Sequence, residues 1–536
     1  MAPGLTFQAG YVTLIVVLGI FIIRKLLKQK SNPRLPPGQK PLPVVGNILD
    51  LPPKGVPEFQ HYLKHKDTYG PISSITVMGL PLVIFHDKEA AHAVMGKSAQ
   101  KTSARPQLNF ATLFGFENFP ITQQYNEKYR KHRKMVHQEI GTKRLSAGFQ
   151  PIQEKETLRF VLQTFNDPDN MMVYLKPLPA AIILKICYGY SIEKKGPDPL
   201  VKLIEQAMDN LSLAFVPLSW AIDAVPAIEY LPDWFPGTSY RKTARAWKAT
   251  NEAAAELPYS FVKQQMALKA HRPCYVSDLL EQTASSKKGH NVALDPSDEE
   301  AIKWTALSLY AAGSDSAVAV IQSVVCALLM FPEVVQKAHA EIDKVVGADR
   351  LPTSDDRKNL PYIDGIVKEA WRWNPVGPMG LAHKAEDDIA YDQFVIPKGA
   401  YLLPSLWWFF HDPKDYSDPD TFKPERYQAP LHEPDPSELA FGFGRRICAG
   451  RFFADANIYI TVVQMLAVFR ITKARDACGA EIPVTLDIVA GMVNRPQPYR
   501  FTIEPRSPRH VELLRRVEAE QEPEVGDEHL LNLSTM

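Results

Sequence analysis

The stretch that most constrains this fold is an apolar run that begins after Asp295-Pro296-Ser297 and stops before Pro332. A capping side chain precedes it, and Asp298, Glu299 and Glu300 place negative charge where a helix dipole is positive. The pattern predicts one unbroken helix to Met330. At 1.5 Å per residue that helix is about 50 Å long, so it must cross the whole body. Its middle, Ala311-Ala312-Gly313-Ser314-Asp315-Ser316, sets glycine, acid and hydroxyl into an otherwise apolar run. Such residues weaken a helix. Two readings follow: a functional centre, or a local kink in which Ser316 bonds back to the preceding turn.

The second constraint is Phe441-Gly442-Phe443-Gly444-Arg445-Arg446-Ile447-Cys448-Ala449-Gly450, followed by a helix-suited run from Phe452 through Val468. The glycines allow a tight turn and close approach to a flat object. The helix start behind Cys448 offers free N–H groups, which favour a thiolate over a thiol. A lone thiolate suits a single iron. Zinc is disfavoured, because no second Cys or His stands at ligand spacing, and the absence of Cys-x-x-Cys-His excludes c-type haem attachment. The plainer alternative is a buried structural cysteine.

This loop resembles the haem-binding segment of the cytochrome P450 family, Phe-x-x-Gly-x-Arg-x-Cys-x-Gly, matched by Phe441, Gly444, Arg446, Cys448 and Gly450. The resemblance implies a mainly α fold with a small β-rich subdomain, and haem b (iron protoporphyrin IX) between the long helix and the cysteine loop. Cys448 would be the metal ligand, with Phe441 beside the sulfur and Arg446 on a propionate. Further motifs occur in the family's order. The middle of the long helix resembles Ala-Gly-x-Asp-Thr, with serine for threonine, which implies proton delivery by Asp315 and Ser316. Tyr129, Arg130 and Arg133 match a Trp-Arg-x-x-Arg helix, with tyrosine where tryptophan is usual, so Arg133 and Tyr129 are expected at a propionate, as is His383. Glu369, Arg372 and Arg426 match two motifs that form a buried ionic triad in the family.

From Leu5 to Ile23 the chain is nearly all apolar, with Arg24, Lys25, Lys28, Lys30 and Arg34 directly after it. That length spans a bilayer core of about 30 Å, and the basic flank keeps the following chain cytosolic. No basic segment precedes the run and no small-x-small cleavage site follows, so an uncleaved anchor is expected rather than a signal peptide. The resulting division is a single transmembrane anchor at 5–23, a basic and proline-rich hinge at 24–43 read as a stiff spacer, a haem-thiolate monooxygenase domain at 44–508, and a charged, solvated tail at 509–536. The resemblance places such a chain in the endoplasmic reticulum membrane with its catalytic domain cytosolic.

Five scattered cysteines do not make a disulfide framework. Net charge is +1, and no basic tract is interleaved with aromatics, so no nucleic-acid partner is expected. The charged run from Lys128 to Lys134 reads either as a solvated face or as a docking patch for an acidic electron donor. Phe110, Phe114, Phe116 and Phe119 read equally as pocket lining or as core, and Leu211–Trp220 with Ala224–Trp234 read as an apolar lid.

The activity implied by the resemblance is insertion of one oxygen atom from O2 into an apolar small molecule, a secondary metabolite or xenobiotic. Electrons would come from a membrane-bound NADPH-dependent flavoprotein reductase, since no flavin or nicotinamide fingerprint occurs here. A haem-thiolate isomerase or dehydratase, and a non-catalytic haem-binding protein, are the alternatives. The flanking charges generate the first prediction: protease added to sealed microsomes digests the body of the protein, whereas protection of the body reverses the topology.

Overall fold

The long helix forms as its flanks require. It runs from Pro296 to Met330, and the Asp295 carboxylate accepts the Ser297 N–H at 2.8 Å. The computed structural model describes residues 35–193, 198–214, 220–235, 237–286, 295–489, 491, 493–522 and 524–531. The expected anchor and the first part of the hinge lie outside these. Among the described residues the long helix is the one single helix apolar enough to cross a bilayer, yet 67% of its most apolar window is buried in protein, which makes it a core helix.

The chain divides into two units. The smaller comprises residues up to Pro106, Met379–Ser405 and Phe443–Arg445. It contains β1 (Ile72–Val77), β2 (Leu80–Phe85), β3 (His383–Lys384), β4 (Ile389–Tyr391), β5 (Phe394–Ile396) and β6 (Tyr401–Pro404). One sheet has the order β1-β2-β6-β3. The β1–β2 hairpin is antiparallel, with Ile72 opposite Phe85, and β6 joins β2 in parallel. The described part of the proline-rich hinge, read from sequence as a stiff spacer, is bonded to this sheet. The Pro36 and Pro37 carbonyls accept from the Ser74 hydroxyl at 2.6 Å and the Ser74 N–H at 2.8 Å, which straps this segment along β1.

The larger unit is mainly helical, with two small antiparallel pairs, β7 (Phe469–Lys473) against β10 (Phe501–Pro505) and β8 (Ile488–Val489) against β9 (Arg495–Pro496). Two apolar cores lie along the long helix. Residues from Ala317 to Leu329 pack with the helices Pro361–Arg372 and Arg451–Val468. Residues from Ile302 to Tyr310 pack with the helices Pro177–Tyr188 and Tyr240–Ala267. Gly313 through Ser316 belong to neither core.

Phe110, Phe114, Phe116 and Phe119 are all buried in the second core, and Phe110 stacks on Trp220 at 3.5 Å between ring centroids. These aromatics are core, which decides between the two sequence readings. Of the expected lid, Tyr230 and Trp234 are 88% and 81% exposed, while Phe215 lies outside the described residues. Asn210, which opens the glycosylation sequon Asn210-Leu211-Ser212, is buried, so that sequon is closed to a glycan in the folded protein.

The carboxyl end corrects the expectation of a solvated tail. Pro508–Ala519 is a helix whose Leu513 and Leu514 are buried in the first core. Beyond it, Glu524 accepts from Lys185 at 2.7 Å and from the Ser191 hydroxyl at 2.8 Å, and pairs with Lys155 at 3.2 Å. Asp527 accepts from the Ser191 N–H at 2.7 Å and from Arg272 at 2.5 and 3.2 Å. A charge count reads this segment as soluble. The charges lie on one side of a narrow apolar stripe, and the acids meet cations far away in sequence.

Glu369 and Arg372 sit on one face of their helix, as the three-residue spacing requires. The pair is bidentate at 2.6 and 2.9 Å. Arg426 Nε lies 2.9 Å from the same carboxylate, and all three side chains are fully buried. Glu433 completes the group at 2.5 Å from Arg426. Tyr427 donates its hydroxyl to Glu369 at 2.7 Å, and the Lys423 N–H does so at 2.9 Å.

Two predictions follow from these ion pairs. Glu369→Gln strands the buried Arg372 guanidinium, while Arg426 keeps Glu433, and costs about 3–5 kcal/mol, read by chemical denaturation. Glu524 is the second. Burial alone would raise its pKa, but Lys185, Ser191 and Lys155 hold it at about 2, against 4.5 for a free glutamate. A depressed folded pKa stabilises above the unfolded pKa and loses that contribution as pH falls through the folded one. Glu524→Gln therefore costs about 1 kcal/mol at pH 7 after solvent screening. The difference in denaturation midpoint holds above about pH 4.5 and shrinks toward pH 2.

Candidate active site

The cysteine loop is closed by its own backbone. The Cys448 N–H donates to the Phe441 carbonyl at 2.8 Å, and the helix Arg451–Val468 begins directly after Gly450. The Phe441 ring packs on Trp371, with centroids 4.9 Å apart. Gly444 is required twice over. Its φ is +54°, and a Cβ there would lie 2.7 Å from the Ala99 Cβ and from the Met95 carbonyl. At Gly450 a Cβ would meet only Ile140, at an ordinary 3.6 Å. Protein atoms do not demand glycine at that position, and a flat group lying against the loop is what would.

Cys448 is accessible, unlike buried Cys187, Cys274 and Cys326. Its thiol differs from the expectation. Desolvation pushes its pKa up, against the Gly450 N–H and the charges of Arg133 and Arg451, which lower it. Among the described residues no cluster of three or more His, Cys, Asp or Glu side chains could hold a metal ion.

The cations around the loop come from the helix Glu127–Ile140, which starts at an Asn126 side chain capping the Tyr129 N–H. Arg133 donates to the Ile447 carbonyl at 2.6 Å. Arg446 is buried and donates to the carbonyls of Pro120 at 3.2 Å and Gln123 at 2.5 Å. Its guanidinium lies 3.8 Å from the Tyr129 ring centroid. Tyr129 thus serves as a cation–π platform for Arg446. Arg133, reaching Ile447 from the helix Glu127–Ile140, and Arg446, two residues before Cys448, form a donor set suited to a ligand that is flat, anionic at its edge and bound through sulfur. A haem fits that description.

His383 belongs to the smaller unit, where its buried ring bonds the Thr102 carbonyl at 2.8 Å. The same unit holds a residue that sequence reading missed. Arg105 is buried and donates to the carbonyls of Leu381 and Ala382 at 2.8 and 2.9 Å. A single arginine before a proline carried no sequence signal of burial.

At the middle of the long helix the back-bond of the second sequence reading is present. Ser316 does bond back, donating to the Ala312 carbonyl at 2.8 Å. Asp315 is half-exposed and pairs with Arg495 at 3.6 Å. Gly313 has a separate role, because a Cβ there would come within 2.6 Å of the Ile183 side chain on the helix Pro177–Tyr188. The basic run on the helix Glu127–Ile140 is partly spent within the chain. Lys131 pairs with Asp298 at 2.7 Å, and buried His132 has its pKa lowered to about 4 by desolvation and by Lys128 and Lys131. Arg130 and Lys134 remain on the exposed face.

Comparison with known proteins agrees with this geometry. The family model described as Cytochrome P450 matches residues 36–503. A multifunctional cytochrome P450 monooxygenase, af510, of Aspergillus fumigatus is 66% identical over 532 residues, covering 99% of both chains. The cytochrome P450 monooxygenase CLM2 of Gibberella zeae is 46% identical, covering 97% of this chain and 98% of its own. An O-methylsterigmatocystin oxidoreductase of Aspergillus flavus is 36% identical, covering 94% of each. The accessible thiol of the Cys448 loop, its arginine neighbours and these full-length matches lead to one conclusion: this chain belongs to the cytochrome P450 family and is a haem-thiolate monooxygenase.

Proposed function

We propose that this chain holds haem b through Cys448 and uses it to oxidise an apolar fungal secondary metabolite. The observation that carries the reading is the accessible thiol of Cys448, with the Arg133 guanidinium bonded to the adjacent Ile447 carbonyl and Arg446 two residues before it in the loop. The bound haem supplies activation of O2 and insertion of one oxygen atom. Arg133, and Arg446 over Tyr129, would hold the edge of that group. Phe441 shields the sulfur, and Gly444 and Gly450 keep the loop thin.

Asp315 and Ser316 manage protons. The Ser316 O–H is given to Ala312, which leaves its lone pairs free to hold a water. Serine lacks the methyl that restricts a threonine rotamer, so its hydroxyl turns easily to donate instead. Asp315, half-exposed, links that water to solvent.

Electrons come from an NADPH-dependent flavoprotein reductase that docks at Arg130 and Lys134. Residues 5–23 anchor the chain in the endoplasmic reticulum membrane, with the body in the cytosol. The substrate class rests on the relatives, one of which is named for O-methylsterigmatocystin.

The test has two parts. The reduced carbonyl complex absorbs at the thiolate-type Soret position, and Cys448→His abolishes that band. With reductase and NADPH, a panel of polyketides, terpenoids and aromatic hydrocarbons yields an oxygenated product. Ser316→Ala then raises peroxide formed per NADPH about two- to tenfold, with haem content and substrate binding intact. An unchanged carbonyl spectrum in Cys448→His sinks the ligand assignment, and normal product per NADPH in Ser316→Ala sinks the proton role.

A further inference from the structure

Arg495 is the first residue of β9 and stands opposite Val489 of β8. Its Nη2 lies 3.6 Å from Asp315 Oδ2, with the two side chains 40% and 44% exposed. The preceding residue is anchored in the protein interior. The Asn494 N–H donates to the Val376 carbonyl at 2.8 Å. The Asn494 side-chain amide donates to Asn374 Oδ1 at 2.6 Å and to the Pro375 carbonyl at 3.2 Å. The Asn374 amide in turn donates to the Ser323 hydroxyl at 2.8 Å, and Ser323 donates to Ala319 on the long helix. Asn494, Asn374 and Ser323 are 3%, 2% and 2% exposed.

A buried polar ladder of this kind keeps its geometry, because a partly satisfied one is costly. It therefore ties the β8–β9 hairpin to the long helix two turns beyond Asp315. Arg495 is the first position past that anchor, where the chain returns to solvent. The two ends of this arrangement differ in stiffness. The backbone of Arg495 is set by the ladder, while its ion pair is longer than a hydrogen bond and open to water and salt. Such a pair orients a carboxylate without locking it.

We propose that Arg495 is a positioning residue for Asp315. It parks the carboxylate on the hairpin side and releases it when a proton is handed on. The proton comes from solvent to the carboxylate and leaves it for the water held by Ser316, after which the carboxylate returns to Arg495. This rests on the reading that Asp315 moves protons.

The experiment uses full-length holoenzyme with reductase, NADPH and a substrate found in the product screen. Arg495→Gln lowers kcat about three- to tenfold with KM and the carbonyl spectrum unchanged. Arg495→Lys restores most of the rate. The double variant Arg495→Gln with Asp315→Asn is no slower than Asp315→Asn alone, because the arginine acts only through the acid. A second measurement needs no turnover. In substrate-free protein, hydrogen–deuterium exchange over residues 311–316 rises in Arg495→Gln and stays unchanged over residues 296–305.

The outcomes separate two failures. If Asp315→Asn turns over as fast as the unmodified enzyme, the proton reading falls and the role of Arg495 with it. If Asp315→Asn is slow while Arg495→Gln matches the unmodified enzyme in rate and exchange, the role of Arg495 alone is overturned. Additive effects in the double variant overturn it as well.

Discussion

One buried carboxylate carries much of the larger unit. Glu369 is fully buried and faces two guanidinium groups, those of Arg372 and Arg426, that are equally removed from water. Neither arginine could be desolvated without it. The remaining donors are taken up by carbonyls of the segment that follows: Arg372 bonds Phe410, Pro419 and Thr421, and Arg426 bonds Ser417 and Thr421. A stretch with little regular structure of its own is thereby held by side chains in place of a sheet. Glu433 adds a second negative charge, so the group of two acids and two arginines is balanced. The helix that bears Glu369 also bears Trp371, against which Phe441 of the cysteine loop packs. The ionic cluster and the loop are two faces of one helix.

The long helix solves a different problem. A segment of that length needs apolar cover along its whole course, yet it must leave one place where polar groups reach solvent. Two separate cores cover its halves, and the interval between them is where Gly313, Asp315 and Ser316 fall. Gly313 lets the helix Pro177–Tyr188 approach closely, so the middle of the helix is held from one side while its acid faces the hairpin on another. The carboxyl-terminal segment reinforces the same region, because Glu524 and Asp527 grip Lys185 and Ser191 at the end of that approaching helix.

Around the cysteine, electrostatics run against the simplest expectation. Helix starts and arginines favour thiolates, but desolvation raises the pKa of the Cys448 thiol against them. Arg133 and Arg446 are each already bonded to carbonyls, and the second is spread over an aromatic face. Their orientation is set before any ligand arrives.

Much of the site was legible in local sequence because its chemistry is local. The cysteine loop needs glycines at set positions, the long helix announces its cap and its stop, and Glu369 and Arg372 sit one turn apart. Each of these depends on neighbours within about one helical turn. Contacts between distant segments were not legible. Arg105 and His383 found backbone carbonyls, four phenylalanines became core, and Pro36 and Pro37 were strapped to β1. The charged carboxyl end was fastened by Lys185 and Arg272, some 340 and 255 residues away. Sequence by itself determined the metal-binding chemistry and the elements that carry it, since both follow from residue type and short spacing. Only the tertiary structure decided which charges are paired, which aromatics are buried and what lies beside Asp315, because burial and long-range pairing are properties of the packed whole.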